Sequence, residues 1–199
     1  MKIVLATGNP HKVEEITAII KTLGLPLEVV SHSEPLPEVI EDGATIEENA
    51  AKKAREIAAF TGSAVLADDT GLEIDALGGA PGVFAARWAG PGCSYEDNWR
   101  KALALLQEVP DEKRSARFRT VIAFCPAPGE DCLLAEGRLE GLIDREPRGE
   151  QGFGYDPVFL LPEEGQTLAE LSEEEKNRHS HRFRALEALA PLLESLPSR

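Results

Sequence analysis

The stretch KIVLATGNPHKVEEITAIIKTLGLPLEVV, Lys2–Val30, decides the fold. Its first apolar run, Ile3–Ala6, reads as a short strand that ends at Thr7-Gly8-Asn9. Asn9 can cap a helix whose first turn holds Pro10, a residue tolerated there because its missing N–H would go unused. Val13, Ile16, Ile19, Ile20 and Leu23 then recur at helical spacing, and Gly24 ends the run. Leu27–Val30 reads as a second strand, so the chain opens strand–helix–strand.

Working outward, a polar, proline-rich loop covers Ser31–Ala44, and Thr45-Ile-Glu-Glu48 is a capping box for a helix closing near Gly62. Ala64–Ala67 is a third strand, ending at a polar tip, Asp68-Asp69-Thr70-Gly71. After a GGAPG loop, Ser94 begins a helix that runs to about Val109. Arg117–Cys125 and Cys132–Ile143 then read as long strands joined by the turn PAPGED, an antiparallel hairpin. The tail returns to helix, with a second capping box at Thr167-Leu-Ala-Glu170 and a terminal apolar stripe of Phe183, Leu186, Leu189, Leu192, Leu193 and Leu196. There is no internal repeat, low-complexity tract or linker. The expectation is one α/β domain over residues 1–199, a mixed central sheet with flanking helices.

Composition bounds the function. The chain has 42% apolar and 28% charged residues, with 35 acidic against 21 basic side chains and a net charge of -14. Such a surface repels DNA, RNA and anionic membranes, so neither nucleic acid nor membrane is an expected partner. A small anionic substrate is still allowed where basic groups converge and a metal helps. The opening MKIVLATGN is a first strand rather than a signal peptide, and no stretch approaches a membrane span, so the expected location is cytoplasmic. Cys93, Cys125 and Cys132 form no CxxC and no zinc spacing. Cys125 and Cys132 flank the hairpin turn, which makes a disulfide geometrically conceivable. The expectation is nevertheless reduced, partly buried thiols.

Five segments carry chemistry. At Thr7-Gly8-Asn9-Pro10-His11-Lys12 a strand becomes a helix, where outward-pointing amides favour a phosphate and Lys12 adds a mobile positive charge. The same residues also suit an ordinary strand–turn–helix, and no Walker A loop is present. Asp68 and Asp69 are adjacent carboxylates beside a glycine. A structural turn needs only one, whereas the pair suits Mg²⁺ with substrate phosphates completing its shell; a solvated acidic turn is the alternative. Glu41-Asp42 can supply another ligand or be surface charge. Gly152-Phe153-Gly154-Tyr155-Asp156-Pro157 sets two aromatics and a carboxylate among glycines, either a platform for a base or a tight turn with core rings. Lys176-Asn-Arg-His-Ser-His181-Arg182 is the densest basic patch of an acidic protein, and points to an anion or base site.

Together these segments resemble the inosine triphosphate pyrophosphatase family, enzymes that clear damaged nucleotides from the pool. The matching stretches are TGNPHK (7–12), EDGATIEENAAKKA (41–54), LADDTGLEIDALGGAPGVFAARWAG (66–90), GFGYDPVF (152–159) and EKNRHSHRFRAL (175–186), in family order across nearly the whole chain. The resemblance implies Mg²⁺-dependent hydrolysis of ITP, dITP and XTP to the monophosphate and pyrophosphate, a fold of two lobes around a nucleotide cleft, and a homodimer. It implies that Thr7, Gly8, Asn9, Pro10, His11 and Lys12 hold the phosphates, with Lys53 and Lys176 adding positive charge. Glu41 and Asp69 are the implied metal ligands with Asp68 close by, and Asp69 is also the implied base that activates water. Thr70 would contact substrate beside it. Phe153, Gly154, Tyr155 and Asp156, with His181 and Arg182, would surround the purine. Thr70 stands where many relatives have Ser, which keeps the hydroxyl, and His179 occupies a usually apolar spot. Two alternatives are a related pyrophosphatase for modified pyrimidine or methylated nucleotides and a purine sensor without turnover, against which Asp68-Asp69 beside a phosphate loop argues.

Overall fold

The computed structural model describes residues 1–196; the side chain of His179 lies outside the described residues. Eight strands form one mixed sheet in the order β2-β1-β3-β5-β6-β7-β8, with β4 paired to β3. They are β1 (Lys2–Leu5), β2 (Glu28–Val29), β3 (Val65–Ile74), β4 (Pro81–Gly82), β5 (Ser115–Cys125), β6 (Leu133–Ile143), β7 (Phe159–Leu161) and β8 (Gln166–Thr167). The helices are α1 (Pro10–Leu23), α2 (Ile46–Thr61), α3 (Tyr95–Leu105), α4 (Glu173–His179) and α5 (His181–Glu194). The expected α/β class with a mixed sheet and flanking helices is therefore observed. The described chain divides into two compact units.

The first unit comprises residues 1–69 and 120–137 and the chain from His181 onward. Its frame is the strand–helix–strand opening. β1 pairs in parallel with β2 through Ile3 and Val29, and with β3 through Leu5 and Leu66. Asn9 caps α1 through the His11 amide at 3.0 Å, and Gly24 closes it in the left-handed region, φ 63°, where a side chain would be strained. Thr45 and Gly62 bound α2 in the same way, at the positions the sequence marks. Ile16, Ile19 and Ile20 of α1 meet Ala185, Leu186, Leu189 and Leu193 of α5 in a core with Ile3, Leu66, Ile122 and Phe124. Gly137 on β6 lies directly under α5: a Cβ there would overlap the His181 carbonyl and the Ala185 amide.

The second unit, Thr70–Arg119 and Arg138–Ser180, has its own core of Leu72, Ile74, Leu106, Phe118, Leu139, Tyr155, Val158 and Phe159. The buried Arg114 guanidinium donates to the carbonyls of Leu106, Ile143 and Asp144, each at 2.7 Å. That arrangement ties the chain after α3 to the end of β6.

Several expectations are corrected. β3 does not turn at Asp68-Asp69-Thr70-Gly71 but runs on to Ile74, because Leu72 and Ile74 are fully buried and Leu72-Glu73 pairs antiparallel with the Pro81-Gly82 strand inside the GGAPG loop. α3 ends at Leu105, short of Val109. The capping box at Thr167 forms, yet it heads a single 3-10 turn at Leu168–Glu170. The next helix is α4, begun by a box on Ser172. Cys125 and Cys132 are joined as a disulfide, not left as thiols, because the hairpin register sets their Cα atoms 4.2 Å apart. The same register pairs the Ile143 amide with the Arg114 carbonyl at 2.9 Å at the other end of the strands.

Candidate active site

In the first unit, β1 stops at Leu5 and Thr7-Gly8-Asn9 leads into α1. The loop is held by its own side chains: the Asn9 amide donates to Thr7 Oγ1 at 3.2 Å, and Asn9 Oδ1 accepts from His11. Gly8, Pro10 and His11 are exposed and Lys12 is half-buried; the Asn9 and His11 amides are used within the loop and Pro10 has none, so an anion here would rest on the remaining loop amides and the Lys12 ammonium. Asp68 and Asp69 follow on β3 just past the carboxyl end of its parallel neighbour β1, the kind of position at which open α/β sheets bind ligands.

The two carboxylates are both buried and sit in opposite fields. Asp68 Oδ2 accepts Lys12 Nζ at 2.9 Å and Arg182 Nε at 3.1 Å. Burial alone would push its carboxyl up, but Lys12, Arg182 and Lys53 outweigh it and hold Asp68 well below the usual carboxylate range. Arg182 spans further, donating from Nη1 to Glu15 Oε2 at 2.9 Å, so α5 and α1 are joined through a buried guanidinium. Asp69 is the reverse case. Burial is the main cause and the negative charge of Glu41 adds to it, so its carboxyl is pushed up to about 6 against the pull of Lys53, Asn49 and Lys12. Lys53 pairs with Glu41. Burial disfavours its charge, but Asp68, Glu41 and Asp69 outweigh that and raise its pKa.

Glu41 is held near α2 by a regular set of contacts. Lys53 takes Glu41, Lys52 takes Asp42 at 2.6 Å, Asn49 Oδ1 accepts the Gly43 amide at 2.8 Å and Glu48 accepts the Ala44 amide at 2.7 Å. The loop thus runs antiparallel to the first turns of α2. Asn49 also donates from Nδ2 to Asp69 Oδ2 at 3.1 Å. Sequence reasoning passed over Asn49 and Glu15. The available signal for Asn49 is a polar residue at the buried stripe of Ile46, Ala50, Ala54 and Ile57, where a surface amide has no place.

Glu41 and Asp69 are an oxygen donor set of the kind Mg²⁺ takes, one or two carboxylates with waters and phosphates. Their repulsion favours a cation between them. Among the described residues no group of three or more His, Cys, Asp or Glu is placed to hold a metal ion, so water, joined by substrate oxygens when nucleotide is bound, would complete the shell of a cation on this pair.

In the second unit, Asp156 Oδ2 accepts the Phe153 amide at 2.8 Å and Lys176 Nζ at 2.6 Å. The Lys176 ammonium lies 4.9 Å from the centroid of the half-buried Phe153 ring. Tyr155 instead belongs to the core: its hydroxyl donates to the Ala85 carbonyl at 3.0 Å, and burial raises its pKa. Gly154 and Thr70 are half-buried. Among the described residues no helix is long and apolar enough to cross a membrane.

The comparisons with known proteins agree with the sequence resemblance. Residues 3–192 match the Ham1 family. The chain is 52% identical to the dITP/XTP pyrophosphatase of Thermoanaerobacter sp. (strain X514), covering 94% of this chain and 93% of that one. It is 44% identical to the dITP/XTP pyrophosphatase of Bacillus subtilis (strain 168), covering 96% of each. The HAM1 protein from Coxiella burnetii superposes with a TM-score of 0.87 at 42% identity, over 98% of this chain and 100% of the other. The Staphylococcus aureus Ham1 protein gives 0.84 at 38% identity, over 98% of both. With the family matched end to end and the fold shared, this chain belongs to the Ham1 family.

Proposed function

We propose that this chain hydrolyses deaminated purine nucleoside triphosphates, dITP, XTP and ITP, to the monophosphate and pyrophosphate with the help of Mg²⁺. The observation that carries the proposal is the pair of adjacent buried carboxylates in opposite fields. Asp68 is kept ionised by Lys12 and Arg182, while Asp69 is pushed up to about 6. Neighbouring groups driven apart in this way have distinct roles, one fixing charge and the other moving a proton. The names of the relatives, dITP/XTP pyrophosphatases, support the substrate class.

The Thr7 and Gly8 amides and the Lys12 ammonium would receive the phosphates, on a loop shaped by Asn9, Pro10 and His11. Glu41 and Asp69 would hold Mg²⁺, which offsets the roughly four negative charges of a triphosphate and so lets a polar nucleophile approach phosphorus. Lys53, which rests on Glu41, would add charge to the phosphates. Asp69 takes a proton from water. The water oxygen bonds to the α-phosphorus, the bond to the bridging oxygen breaks, and its electron pair leaves with pyrophosphate. In the metal-free site burial and Glu41 push the Asp69 carboxyl up, so it is placed in a field that favours taking a proton. Asp68, spoken for by Lys12 and Arg182, fixes those cations and lies close to the metal pair.

His181 and Arg182 are the proposed donors to the 6-oxo group of the damaged base. The 6-amino group of adenine would leave such donors unpaired, which is how a site rejects an analogue. Phe153, with Gly154, Asp156 and Lys176 around it, is the proposed platform for the base, and Tyr155 supports it from the core. Thr70 is proposed to contact substrate next to Asp69. A cytoplasmic location and a homodimer are part of the same proposal; a monomer by light scattering at micromolar concentration would remove the dimer alone.

The test is pyrophosphate release from dITP, XTP, ITP, dGTP and dATP, with Mg²⁺ and with excess EDTA. The expected result is turnover of the first three that needs Mg²⁺. Turnover undiminished by the chelator refutes the metal role, and binding without turnover makes the protein a sensor.

A further inference from the structure

We propose that Asn49 is a positioning residue that sets the spacing of the two metal-holding carboxylates by bridging Asp69 to the loop that carries Glu41. The inference rests on the reading of Glu41 and Asp69 as the pair that holds Mg²⁺. Asn49 is 1% exposed, and both ends of its amide are used: Oδ1 accepts the Gly43 amide at 2.8 Å, and Nδ2 donates to Asp69 Oδ2 at 3.1 Å. The orientation is fixed by chemistry, since a backbone N–H can only donate and so must face the oxygen.

Only a side chain with a donor and an acceptor on one short stem can make both bonds. Aspartate would put a second carboxylate against Asp69, leucine would make neither bond, and glutamine is longer by a methylene. The helix makes the bridge possible. Glu48 and Lys52 form one stripe of α2 and Asn49 and Lys53 the next, four residues apart in each case. The first stripe takes Ala44 and Asp42 at the surface. The second takes Gly43 and Glu41 and also faces Asp69. Gly43 completes the joint. A Cβ there would lie 2.7 Å from Asn49 Oδ1 and 2.9 Å from Glu48 Cβ, so residue 43 must lack a side chain for the loop to reach the amide. Glu41 is two residues from that contact. Glu41 comes from a loop and Asp69 from a strand, and one buried amide ties their backbones and side chains into a single spacing.

The test uses Mn²⁺ binding to the nucleotide-free protein, followed by electron paramagnetic resonance, beside kcat and KM for dITP. Loss of a side chain that orients a metal ligand typically lowers metal affinity or activity about 10- to 100-fold. Asn49→Leu is expected to weaken Mn²⁺ binding and lower kcat by that factor, with KM within about threefold. Gly43→Ala, which keeps Asn49 but pushes the loop away, is expected to do the same, and covers the case in which Asn49→Leu does not fold. Folded variants that bind Mn²⁺ and turn over within about threefold of wild type overturn the positioning role and leave the metal reading standing. An active wild type that binds no Mn²⁺, or whose binding is unaltered by Asp69→Asn, overturns the metal reading and the inference with it.

Discussion

Asp69→Asn should make the protein more stable at pH 8 while removing its activity. The Asp69 carboxyl is pushed from an ordinary value of 3.8 to about 6, first by burial and then by Glu41. A rise of roughly 2 units at about 1.4 kcal/mol each means that the ionised form costs the folded state up to about 3 kcal/mol. Asparagine keeps the shape and can still accept the Asn49 amide, without the charge. That rise already sets the pull of Lys53, Asn49 and Lys12 against burial and Glu41, so the expected gain is about 1–3 kcal/mol. For a chain of this length each kcal/mol moves Tm by about 2–4 °C, so Tm should rise by about 2–12 °C.

The pH dependence separates this cause from others. Because the folded value lies above the unfolded one, the folded state of the wild type holds a proton between about 3.8 and 6 that the unfolded state lacks. The wild type therefore loses this stability as pH rises through about 6, and the advantage of the variant should be full at pH 8 and close towards pH 4. Thermal unfolding of both proteins in EDTA at the two pH values measures it, and pyrophosphate release should fall about 10²- to 10⁴-fold. A variant no more stable than wild type at pH 8, or an advantage unchanged at pH 4, would refute the reasoning.

Two further outcomes are expected. Arg182→Ala leaves Asp68 and Glu15 buried without their shared guanidinium and should cost about 3–5 kcal/mol in denaturant unfolding; in the folded fraction the ITP-over-ATP ratio of kcat/KM should shrink by about 10- to 150-fold, whereas Lys12→Ala, at the proposed phosphate contact, should leave the ratio unchanged. Reducing the Cys125–Cys132 disulfide, which spans seven positions, should cost up to about 2.5 kcal/mol and lower Tm by several degrees, with an unchanged Tm under dithiothreitol counting against it.

The sequence made the local frame legible because its signals are local. Asn9 and Gly24, Thr45 and Gly62 sit at the ends of α1 and α2, and the isoleucines of α1 are buried at the spacing that identifies the helix. The adjacent acids on β3 and the basic residues at the start of α5 were legible as unusual charge. Their pairing was not, since Arg182 and Asp68 are 114 positions apart. The extension of β3 to Ile74 depends on a partner strand inside what reads as a loop, and no pattern within Thr70–Ile74 announces that partner. Tyr155 and Phe153 look equivalent in sequence; only the Ala85 carbonyl and the surrounding core separate the buried ring from the half-buried one. Asn49 was hidden by its helix, whose apolar pattern is strong enough to carry one polar member.

The cations of the candidate site in the first unit are already matched by carboxylates, Lys12 and Arg182 by Asp68 and Lys53 by Glu41, in a chain whose net charge is -14. A polyanion approaching from bulk solvent meets repulsion at long range and attraction only at the end. Salt acts unequally on the two. Raising ionic strength from about 0.1 to 1 M shortens the screening length from about 10 to 3 Å, which removes the distant repulsion first and weakens buried ion pairs least. Where most anion-binding enzymes lose encounter rate as salt is added, this one is expected to gain it. On the proposed function, magnesium-complexed nucleotide, less negative than the free anion, is for the same reason expected to reach the site faster than free nucleotide.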